Sequence, residues 1–582
     1  MTLAVHTRPQ PQPFLPSYGE EGKNALRLIP LGGLGEFGLN MMCYEAGDER
    51  IVVDCGSMFP DTDMLGIDLV VPDIQYLLDE PERLKGIVLT HAHEDHIGAL
   101  PYILSQIQVP VYGTRLTLAY VEEKLREHEI LDQTDLREMN FREPVQMGRH
   151  FSVTALHVTH SVPDSAALAI NTPAGIVVHS GDYKIDYSPV DNNRFDHFSF
   201  SKLGESGVLA LVGDSTNANV PGTTHTERWV SQHLETIFAS SEGTIFCTTF
   251  STSIHRLQIL MNLAERFGRR IFVVGRSLEK SFRLGAEHGF LDIPQAFFCS
   301  LREYEYVAPH QRLVLATGSQ GEPASALAML ARDEHKRLQI EEGDTVILSA
   351  RSIPNNVRSI NRMVNHLCRR GARVFDATSA DVHASGHAYR EEIKALISLT
   401  QPRFLVPAHG ELRQLLSHRD AAIAAGFPEE NIFILDDGDV LEFQLPESGA
   451  RTLTSAELVG HVPAGHMLVD GKTVGETGDV VLRDRRHLSE DGMVIAILNV
   501  DKKSGELLTD PEIVTRGFVC VDESEELINR LRAIVREAFE ACTLETREDP
   551  EVLHPEIRRA LRRYIRKNYE RFPLILPVVQ EV

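Results

Sequence analysis

A histidine-rich segment directly after an apolar run constrains this chain more than any other feature. Residues 86–89 (GIVL) predict the end of a β-strand, residues 90–96 (THAHEDH) follow at once, and residues 97–107 predict a helix. Because alternate side chains of an extended backbone point the same way, His91 and His93 face one side. Imidazole and carboxylate groups suit Zn²⁺ or Mn²⁺. The segment predicts a metal-binding loop between a strand and a helix; the alternative is a solvated polar loop.

Polar residues also stand where other predicted strands end. His160 follows a strand predicted over residues 151–159, and Asp182 lies just past one predicted over residues 175–179. Asp214 and His409 follow apolar runs in the same way. Since loops at strand ends are where scaffolds place their chemistry, we expect these side chains to converge.

Together these segments supply seven imidazoles and carboxylates, enough for two ions with open positions for water. One ion takes His91, His93 and His160, and the other takes Asp95, His96 and His409. Asp182 bridges them, because a carboxylate can span two ions ~3.5–4 Å apart. Water between such ions ionises near neutral pH and supplies a hydroxide nucleophile.

The glycine-rich segment 33–38 and the residue Asp54 each allow two interpretations. Residues 33–38 (GLGEFG) contain a literal GxGxxG, but the dinucleotide fingerprint needs a helix next, and residues 40–44 predict an extended segment. We therefore interpret the glycines as a turn close to a site and reject a nucleotide-binding function. Asp54 ends another predicted strand, where it either orients a ligand histidine or caps a turn.

Composition limits the classes of protein that fit. With 582 residues, several domains are expected, and the net charge of −25 argues against non-specific binding to nucleic acid. It does not exclude a nucleic-acid enzyme, since bound cations can dominate the local field. No stretch has the apolar length of a membrane span. Seven scattered cysteines without paired spacing favour a reducing cytoplasm over a disulfide framework.

The pattern of predicted helices and strands changes along the chain and indicates an α/β protein of several domains. Regular helix–strand alternation over residues 223–373 indicates a parallel, doubly wound sheet inserted into a different domain. Residues 480–482 and 493–498 predict short strands, followed by two long helices near the C-terminus. The predicted parts are a Pro-rich disordered tail (1–24), a first domain in two pieces (25–222 and 374–444), the insertion (223–373), a linker (445–460) and a C-terminal domain (461–582).

Several motifs carry a resemblance to a known family. The order THAHEDH, a lone histidine, SGDY and a late histidine resembles the metallo-β-lactamase superfamily, and the insertion resembles its β-CASP group. Further motifs resemble the ribonuclease J family, namely LGGLGEFGLN (31–40), THSVPDS (159–165), GDSTNA (213–218), GRSLEK (275–280), TGSQGEP (317–323), HASGHA (383–388), PAHGELR (407–413), VLRDRRHLSEDG (481–492), TRGFV (515–519) and the C-terminal LILPVVQEV.

This resemblance implies a fold and an activity. The fold is an αββα metallo-β-lactamase sandwich with an inserted parallel-sheet β-CASP domain and a small α+β C-terminal domain. The activity is that of a two-metal (Zn or Mn) ribonuclease, a 5′→3′ exonuclease with endonuclease activity that leaves 5′-phosphates during RNA processing and decay. The family also implies a homodimer formed through the C-terminal region.

The resemblance also implies roles for residues outside the seven ligands. The family's acidic position falls on Asp214 and its proton-donating histidine on His387; the alternatives are a turn-capping carboxylate and a simple phosphate hydrogen bond. The implied substrate-binding positions are Thr252, Ser253, Ile254, His383, Ala384, Ser385, Gly386 and His387. Ser253 departs from the family's usual Asn, so a phosphate contact there would be made through its hydroxyl.

A structural cation and two other functions complete the expectations. The family sometimes carries an additional cation, calcium, and by position Asp63 and Asp470 are its carboxylates here, unless they are ordinary surface residues. A small-molecule hydrolase of the same superfamily, acting on a thioester or lactam, would not need the insertion. A non-catalytic RNA-binding protein would show a broken ligand set, whereas all seven positions are filled.

Overall fold

The structure is a computed structural model, and it describes residues 25–61, 63–353, 356–444, 455–471, 473–475, 478–502, 504–518, 525–543, 547 and 550–581. They divide into two compact units, one within Met1–Phe59 and Leu69–Met467, the other within Pro60–Asp68 and Leu468–Val582. The predicted tail (1–24) and linker residues 445–454 lie outside the described residues.

Two stacked sheets form the centre of the first unit. One has eight strands in the spatial order Ser455–His461, Asp439–Gln444, Leu26–Gly32, Met41–Ala46, Glu49–Val53, Leu84–Val88, Val111–Gly113 and Leu136–Glu138. The other has six, in the order Pro402–Ala408, Val208–Asp214, Gly175–His179, Ala166–Thr172, Phe151–His157 and Pro144–Met147. Their facing side chains, such as Tyr44 and Phe151, share one buried core. A short strand, Leu69–Pro72, also belongs to this unit.

Helices cover the outer faces, which completes the predicted αββα sandwich. Against the six-stranded sheet, Phe200, Ile393 and Ala422 contribute to a second core. They belong to the helices His197–Ser206, Arg390–Thr400 and Leu412–Ala424. The remaining helices of the sandwich are Gln75–Leu78, Glu94–Ile97, Leu100–Leu104 and Arg115–Glu127. Leu34–Gly35 and Gly410–Glu411 form a separate two-stranded parallel pair.

The insertion is a five-stranded, wholly parallel sheet, as the helix–strand alternation predicted. Its strands lie in the order Arg270–Val274, Arg312–Ala316, Ile245–Thr248, Thr345–Leu348 and Arg373–Phe375. Its helices are Glu227–Ala239, Ile254–Arg266, Arg276–Glu287, Ala326–Arg332 and Val357–Arg369. Buried aliphatic side chains of strands and helices, including Val314, Leu330 and Leu367, form its core.

The second unit is a small α+β domain. Glu512–Arg516, Met493–Val500 and Leu574–Glu581 form a three-stranded sheet in that order. The helices Glu525–Glu540 and Pro550–Tyr569 share a core with this sheet. Strict alternation of burial along Met493–Val500 reflects one sheet face turned to those helices. The unit also contains the helix Asp479–Glu490, and Thr473–Val474 pairs with the end of His466–Asp470.

Four boundaries differ from the sequence-based expectations. Residues 455–460 are not a linker, because Ser455–His461 completes an antiparallel pair with Asp439–Gln444. Arg373–Phe375 belongs to the insertion as its edge strand, although residue 374 was assigned to the surrounding domain. The second unit includes residues 60–68, and its main part begins at residue 468 rather than 461. Contacts between residues far apart in the chain leave no signal in the local sequence.

Two secondary-structure predictions were wrong. Residues 480–482 were predicted as a strand from their β-branched valines, yet they lie in the first turn of the helix Asp479–Glu490. Helical hydrogen bonding over the whole segment outweighs the local preference of two residues. The predicted helix over 97–107 is two short helices, one ending at Ile97 and one at Leu100–Leu104. The chain turns there at Gly98, where a Cβ would meet Ser57 Oγ and the Glu94 carbonyl.

Candidate metal centre

The histidine-rich segment follows the strand Leu84–Val88 and runs into the helix Glu94–Ile97, as the sequence predicted for a strand–helix junction. His93 is the residue before the helix, with extended dihedral angles (φ −77°, ψ 150°). Asp95 and His96 come from the first helical turn. The change from extended to helical backbone therefore sends the two pairs of side chains to different parts of one site.

The structure brings the first predicted ligand group together. Nδ1 of His93 lies 3.0 Å from Nε2 of His91 and 3.2 Å from Nε2 of His160. Nε2 of His91 lies 3.4 Å from an oxygen of Asp182. These four residues offer ligand atoms that all lie within 4.8 Å of one another. Burial keeps the pKa of His91 and His160 well below the usual value and lowers that of His93 to about 4, so these imidazoles are neutral, as metal ligation requires.

The second predicted group also converges. Nε2 of His409 lies 3.3 Å from an oxygen of Asp95, and Nε2 of His96 lies 3.3 Å from one of Asp182. Ligand atoms of these four residues again lie within 4.8 Å of one another. Burial alone would lower the pKa of His409, but Asp182 and neighbouring carboxylates raise it to about 10. Against the effect of burial, Asp182 and Asp54 also raise the pKa of His96 well above its usual value, so without a bound cation the imidazolium groups of His96 and His409 balance the carboxylates of the site.

Asp182 belongs to both groups and provides the test of metal binding. Its side chain is buried, and neither carboxylate oxygen has a hydrogen-bond partner among the described residues. Burial would raise its pKa, but His409 and His96 hold it well below the usual range, so it is ionised. These imidazolium groups balance its charge without a well-directed hydrogen bond to it, and a buried carboxylate left without donors favours direct coordination of a cation. The donor set therefore fits divalent metal binding.

Hydrogen bonds fix which nitrogen faces the centre in three of the candidate ligand histidines. Nδ1 of His96 donates to Asp54 at 2.8 Å, and Nδ1 of His160 donates to the Gly386 carbonyl at 2.7 Å. Thr90 Oγ1 donates to Asp54 at 2.9 Å and accepts from Nδ1 of His91 at 3.0 Å. In these three rings Nε2 is the nitrogen that faces the site, the usual arrangement around ligand histidines. Of the two roles considered for Asp54, the structure supports the orientation of a histidine.

Backbone conformation at the centre is unusual at two residues. Asp54 (φ +62°) and His409 (φ +56°) both lie in the left-handed region, which non-glycine residues rarely adopt. Such conformations persist when surrounding contacts determine them, and they cluster at functional sites. At Asp54, those contacts include bonds from the Thr90 amide and hydroxyl groups.

A third group adjoins the two ligand groups. Nδ1 of His387 donates to Asp214 at 2.9 Å and lies 3.8 Å from Asp182. Burial would lower the pKa of His387, but the Asp214 and Asp182 carboxylates raise it above the usual value. The His387 side chain retains 21% of its exposure, whereas that of Asp214 retains 1%. The arrangement presents a protonated imidazole, held by a buried carboxylate, at the solvent side of the centre.

The loop 383–387 lies directly against the ligands. Gly386 is required there, because a Cβ on it would lie 2.6 and 2.7 Å from atoms of the His160 ring. Ser385 Oγ accepts from the His387 amide at 3.1 Å and from Asn217 Nδ2 at 2.8 Å. Ala384 is buried, and burial lowers the pKa of His383 to about 3.

The other predicted substrate segment starts a helix of the insertion. Thr252 and Ser253 follow the strand Ile245–Thr248, and Ile254 begins the helix Ile254–Arg266. Ser253 occupies the N-cap position, but its side chain makes no capping hydrogen bond. Its hydroxyl is therefore not committed to the helix end.

The predicted structural-cation residues are placed differently. Both lie in the second unit, where Arg486 donates to Asp63 at 3.0 Å and Arg485 donates to Asp470. Neither belongs to a group of converging ligands among the described residues. The cation there stays a prediction.

Several residues of the site escaped the sequence-based reasoning. Asn40 donates to the Asp95 carbonyl at 3.0 Å, which confirms that the glycine turn lies beside the centre, and Met41–Ala46 is a strand rather than a helix. Thr216 bonds to both Asp214 and His409, and Asn217 reaches Ser385. The polar run directly after the strand Val208–Asp214 was the available signal for the last two.

Comparisons with known proteins place the chain in a family. Four family models match: Metallo-beta-lactamase superfamily over residues 34–218, Ribonuclease J, beta-CASP domain over 242–367, Zn-dependent metallo-hydrolase RNA specificity domain over 377–435, and Ribonuclease J C-terminal domain over 480–582. Ribonuclease J of Synechocystis sp. is 39% identical over 565 residues, covering 96% of this chain and 87% of the relative. The chain belongs to the ribonuclease J family.

Other relatives agree. Ribonuclease J 1 of Streptococcus pyogenes and Ribonuclease J2 of Bacillus subtilis are each 38% identical, over 96% of this chain and 98% and 99% of theirs. A solved structure, a protein of unknown function from Enterococcus faecalis V583, matches with a TM-score of 0.51 at 15% identity, covering 72% of this chain and 99% of its own. That likeness shows the fold alone. None of the described helices has the length and apolarity needed to cross a membrane.

Proposed function

We propose that this chain is a metal-dependent ribonuclease that degrades RNA from the 5′ end and also cleaves internally. The observation that carries the proposal is Asp182, a buried carboxylate without hydrogen-bond partners that two ligand groups share. The relatives named Ribonuclease J, matched along almost their whole length, support RNA as the substrate. The 5′→3′ direction and the internal cleavage rest on the family resemblance.

The ligand assignment follows the two converging groups. His91, His93 and His160 would hold one Zn²⁺ or Mn²⁺, Asp95, His96 and His409 would hold the other, and Asp182 would contact both. When bound, such ions supply the acidity that makes water a nucleophile near neutral pH and stabilise charge on the phosphate. The protein orients its ligands through Asp54, Thr90 and the Gly386 carbonyl.

His387 would act as the general acid. A ribose 3′-oxygen is a poor leaving group, and a protonated imidazole can transfer a proton to it as the bond to phosphorus breaks. The Asp214 carboxylate accepts from Nδ1 at 2.9 Å, so Nε2 is the nitrogen that would donate the proton. The loop 383–387 and the segment 252–254 would bind the RNA backbone through hydroxyl and amide groups, which suit phosphate oxygens.

We also propose a homodimer and a cytoplasmic location. Phe572 and Leu576 in the second unit expose 45% and 43% of their surface, which favours self-association through this unit. Sedimentation of the purified protein tests this, with Leu576→Glu expected to shift it toward the monomer. The six cysteines that the structure describes are all free, as expected in a reducing compartment.

The deciding experiment is degradation of 5′-monophosphorylated and 5′-triphosphorylated RNA by purified protein with Mn²⁺ or Zn²⁺. We expect cleavage of at least one RNA, with 5′-mononucleotides as the main products. Asp182→Ala should lose at least a hundredfold in rate, whereas Asp132→Ala, which removes an exposed carboxylate elsewhere, should match the parent. An Asp182→Ala variant as active as the parent, or thioester or lactam hydrolysis without RNA cleavage, would overturn the proposal.

A further inference from the structure

Arg351 stands at the edge of the inserted sheet where ligands are expected. It follows the strand Thr345–Leu348, which pairs in parallel with Ile245–Thr248. The loop after Ile245–Thr248 leads to Ser253, one of the predicted substrate contacts. Parallel strands deliver their following loops to the same edge, and open α/β sheets bind ligands at that carboxyl edge.

The side chain of Arg351 is connected to the substrate loop by one intermediate residue. Its Nη1 donates to Oδ1 of Asn217 at 2.9 Å, and Nδ2 of Asn217 donates to Ser385 Oγ at 2.8 Å. Ser385 in turn accepts from the His387 amide. The guanidinium is therefore two hydrogen bonds from the segment that we expect to bind phosphate.

The backbone at Arg351 is held from the opposite side. Gln320 Nε2 donates to the Arg351 carbonyl at 3.0 Å, and Gln320 Oε1 accepts from the Ile353 amide at 2.9 Å. Gln320 follows the strand Arg312–Ala316, which also neighbours Ile245–Thr248. Hydrogen bonds thus hold both the carbonyl and the guanidinium of Arg351, so less conformational freedom remains to be lost when a ligand binds.

The charge of Arg351 is not neutralised within the structure. Nearby Arg256 is buried and bonds to Glu227 at 2.8 Å, whereas Arg351 is exposed and forms no ion pair with any carboxylate in the described part of the chain. A guanidinium has five N–H donors in a planar fork that suits phosphate oxygens, and one of them is used by Asn217. In a chain with a net charge of −25, such a group favours an anion locally.

We propose that Arg351 binds a phosphate of the RNA substrate beside the loop 383–387, and that Asn217 positions it for this contact. The inference rests on the proposed ribonuclease function and deepens it. The ligand is a phosphate oxyanion, either the 5′-terminal phosphate or an internal phosphodiester of the same strand.

The test uses the full-length, metal-loaded enzyme and one short single-stranded RNA prepared with a 5′-monophosphate or a 5′-hydroxyl. KM and kcat are measured over a range of salt concentrations for the parent, Arg351→Ala, Arg351→Lys and Arg373→Ala. Arg373 is an exposed arginine at the start of the strand Arg373–Phe375 in the same sheet. It therefore lies at the amino ends of the parallel strands, whereas Arg351 lies beyond their carboxyl ends. Thermal unfolding of each variant controls for the fold.

We expect Arg351→Ala to raise KM about tenfold and to leave kcat within about twofold. The slope of log KM against log salt should become shallower by about 0.7, the value for one phosphate contact on a single strand. Arg351→Lys should retain that slope because it keeps the charge, and Arg373→Ala should match the parent. A defect only on 5′-monophosphate RNA supports the terminal phosphate, and an equal defect on both RNAs supports an internal one.

Two results would overturn the inference and leave the proposed function standing. One is parent-like KM and salt slope in Arg351→Ala while the parent cleaves RNA. The other is a fall in kcat with an unchanged salt slope, which would mean that the residue only supports the fold. If the parent cleaves neither RNA, the proposed function fails, and the inference fails with it.

Discussion

The Gly386 carbonyl accepts a hydrogen bond from Nδ1 of His160 at 2.7 Å, and the same glycine leaves room for the imidazole ring. One residue of the predicted substrate loop thereby fixes both the position and the tautomer of a candidate ligand 226 residues away. On the proposed function, this one backbone contact would join metal binding to substrate binding.

Substitution of Gly386 tests that contact. The Cβ of Gly386→Ala would lie within 2.7 Å of the His160 ring, so the ring or the loop must move. We expect at least a tenfold loss of RNA cleavage together with weaker metal binding, measured by activity and by metal content after dialysis. Gly465→Ala is the control, because a Cβ there meets no atom within 4 Å. Unchanged metal affinity in Gly386→Ala would contradict the contact's proposed role.

Removal of Asp54 tests the orientation of His96. Asp54→Ala takes away the acceptor for His96 Nδ1 and for the amide and hydroxyl of Thr90. Because such partners commonly contribute 10–100-fold to metal affinity, we expect the metal dissociation constant to rise by about that factor. Calorimetric titration of the metal-free protein measures it. An affinity equal to that of the parent would mean that His96 needs no such partner.

Replacement of His387 separates proton donation from metal binding. We expect His387→Ala to slow cleavage by about 10²–10⁴-fold, the usual contribution of a general acid, and to leave metal content intact. His310→Ala, which removes an exposed histidine of the segment Pro309–Gln311, should behave as the parent. Loss of bound metal from His387→Ala would instead identify His387 as a ligand.

Metal binding should release protons from the site, and metal removal should lower the stability of the folded protein. Carboxylates raise the pKa of His96 and His409 in the metal-free protein against the effect of burial, so both rings are protonated near neutral pH. Metal binding should release those protons, detectable as a heat that varies with the ionisation enthalpy of the buffer. At a free metal concentration of 100 times Kd, the folded state gains about 2.7 kcal/mol, so chelation should lower Tm. Metal uptake without proton release would contradict this account of the site.

A buried ion-pair network predicts the acid sensitivity of the first unit. Arg256 bonds to the Glu227 carboxylate at 2.8 Å, and Nζ of Lys184 lies 3.4 Å from the same carboxylate. Burial would raise the pKa of Glu227, but Arg256 and Lys184 lower it to about 2. Because the folded pKa is depressed, this contribution is complete above about pH 4.5 and is lost as pH falls toward 2. Melting curves over that range should show a flatter pH dependence in Glu227→Gln; an unchanged slope would contradict the prediction.

Local signals accounted for most of the predicted metal centre. The spacing of His91, His93, Asp95 and His96 within one strand–helix junction needs no tertiary information, because backbone geometry alone aims these side chains. His160, Asp182 and His409 were predictable as polar residues at strand ends. Local signals failed at two other segments. The two valines of residues 480–482 favoured a strand where the structure has a helix, and the strand that pairs with residues 455–460 lies outside that segment.

By itself, the sequence determined the class of the fold, the seven converging candidate ligands and the resemblance to the ribonuclease J family. These properties depend on periodicity, on local backbone geometry and on motifs that are contiguous in the chain. Only the tertiary structure decided that Asp54 orients His96, that Gly386 contacts His160 and that Asn217 connects Arg351 to Ser385. Those contacts join residues 42 to 226 positions apart, and loop closure over such distances depends on the packing of whole sheets, which no local pattern encodes.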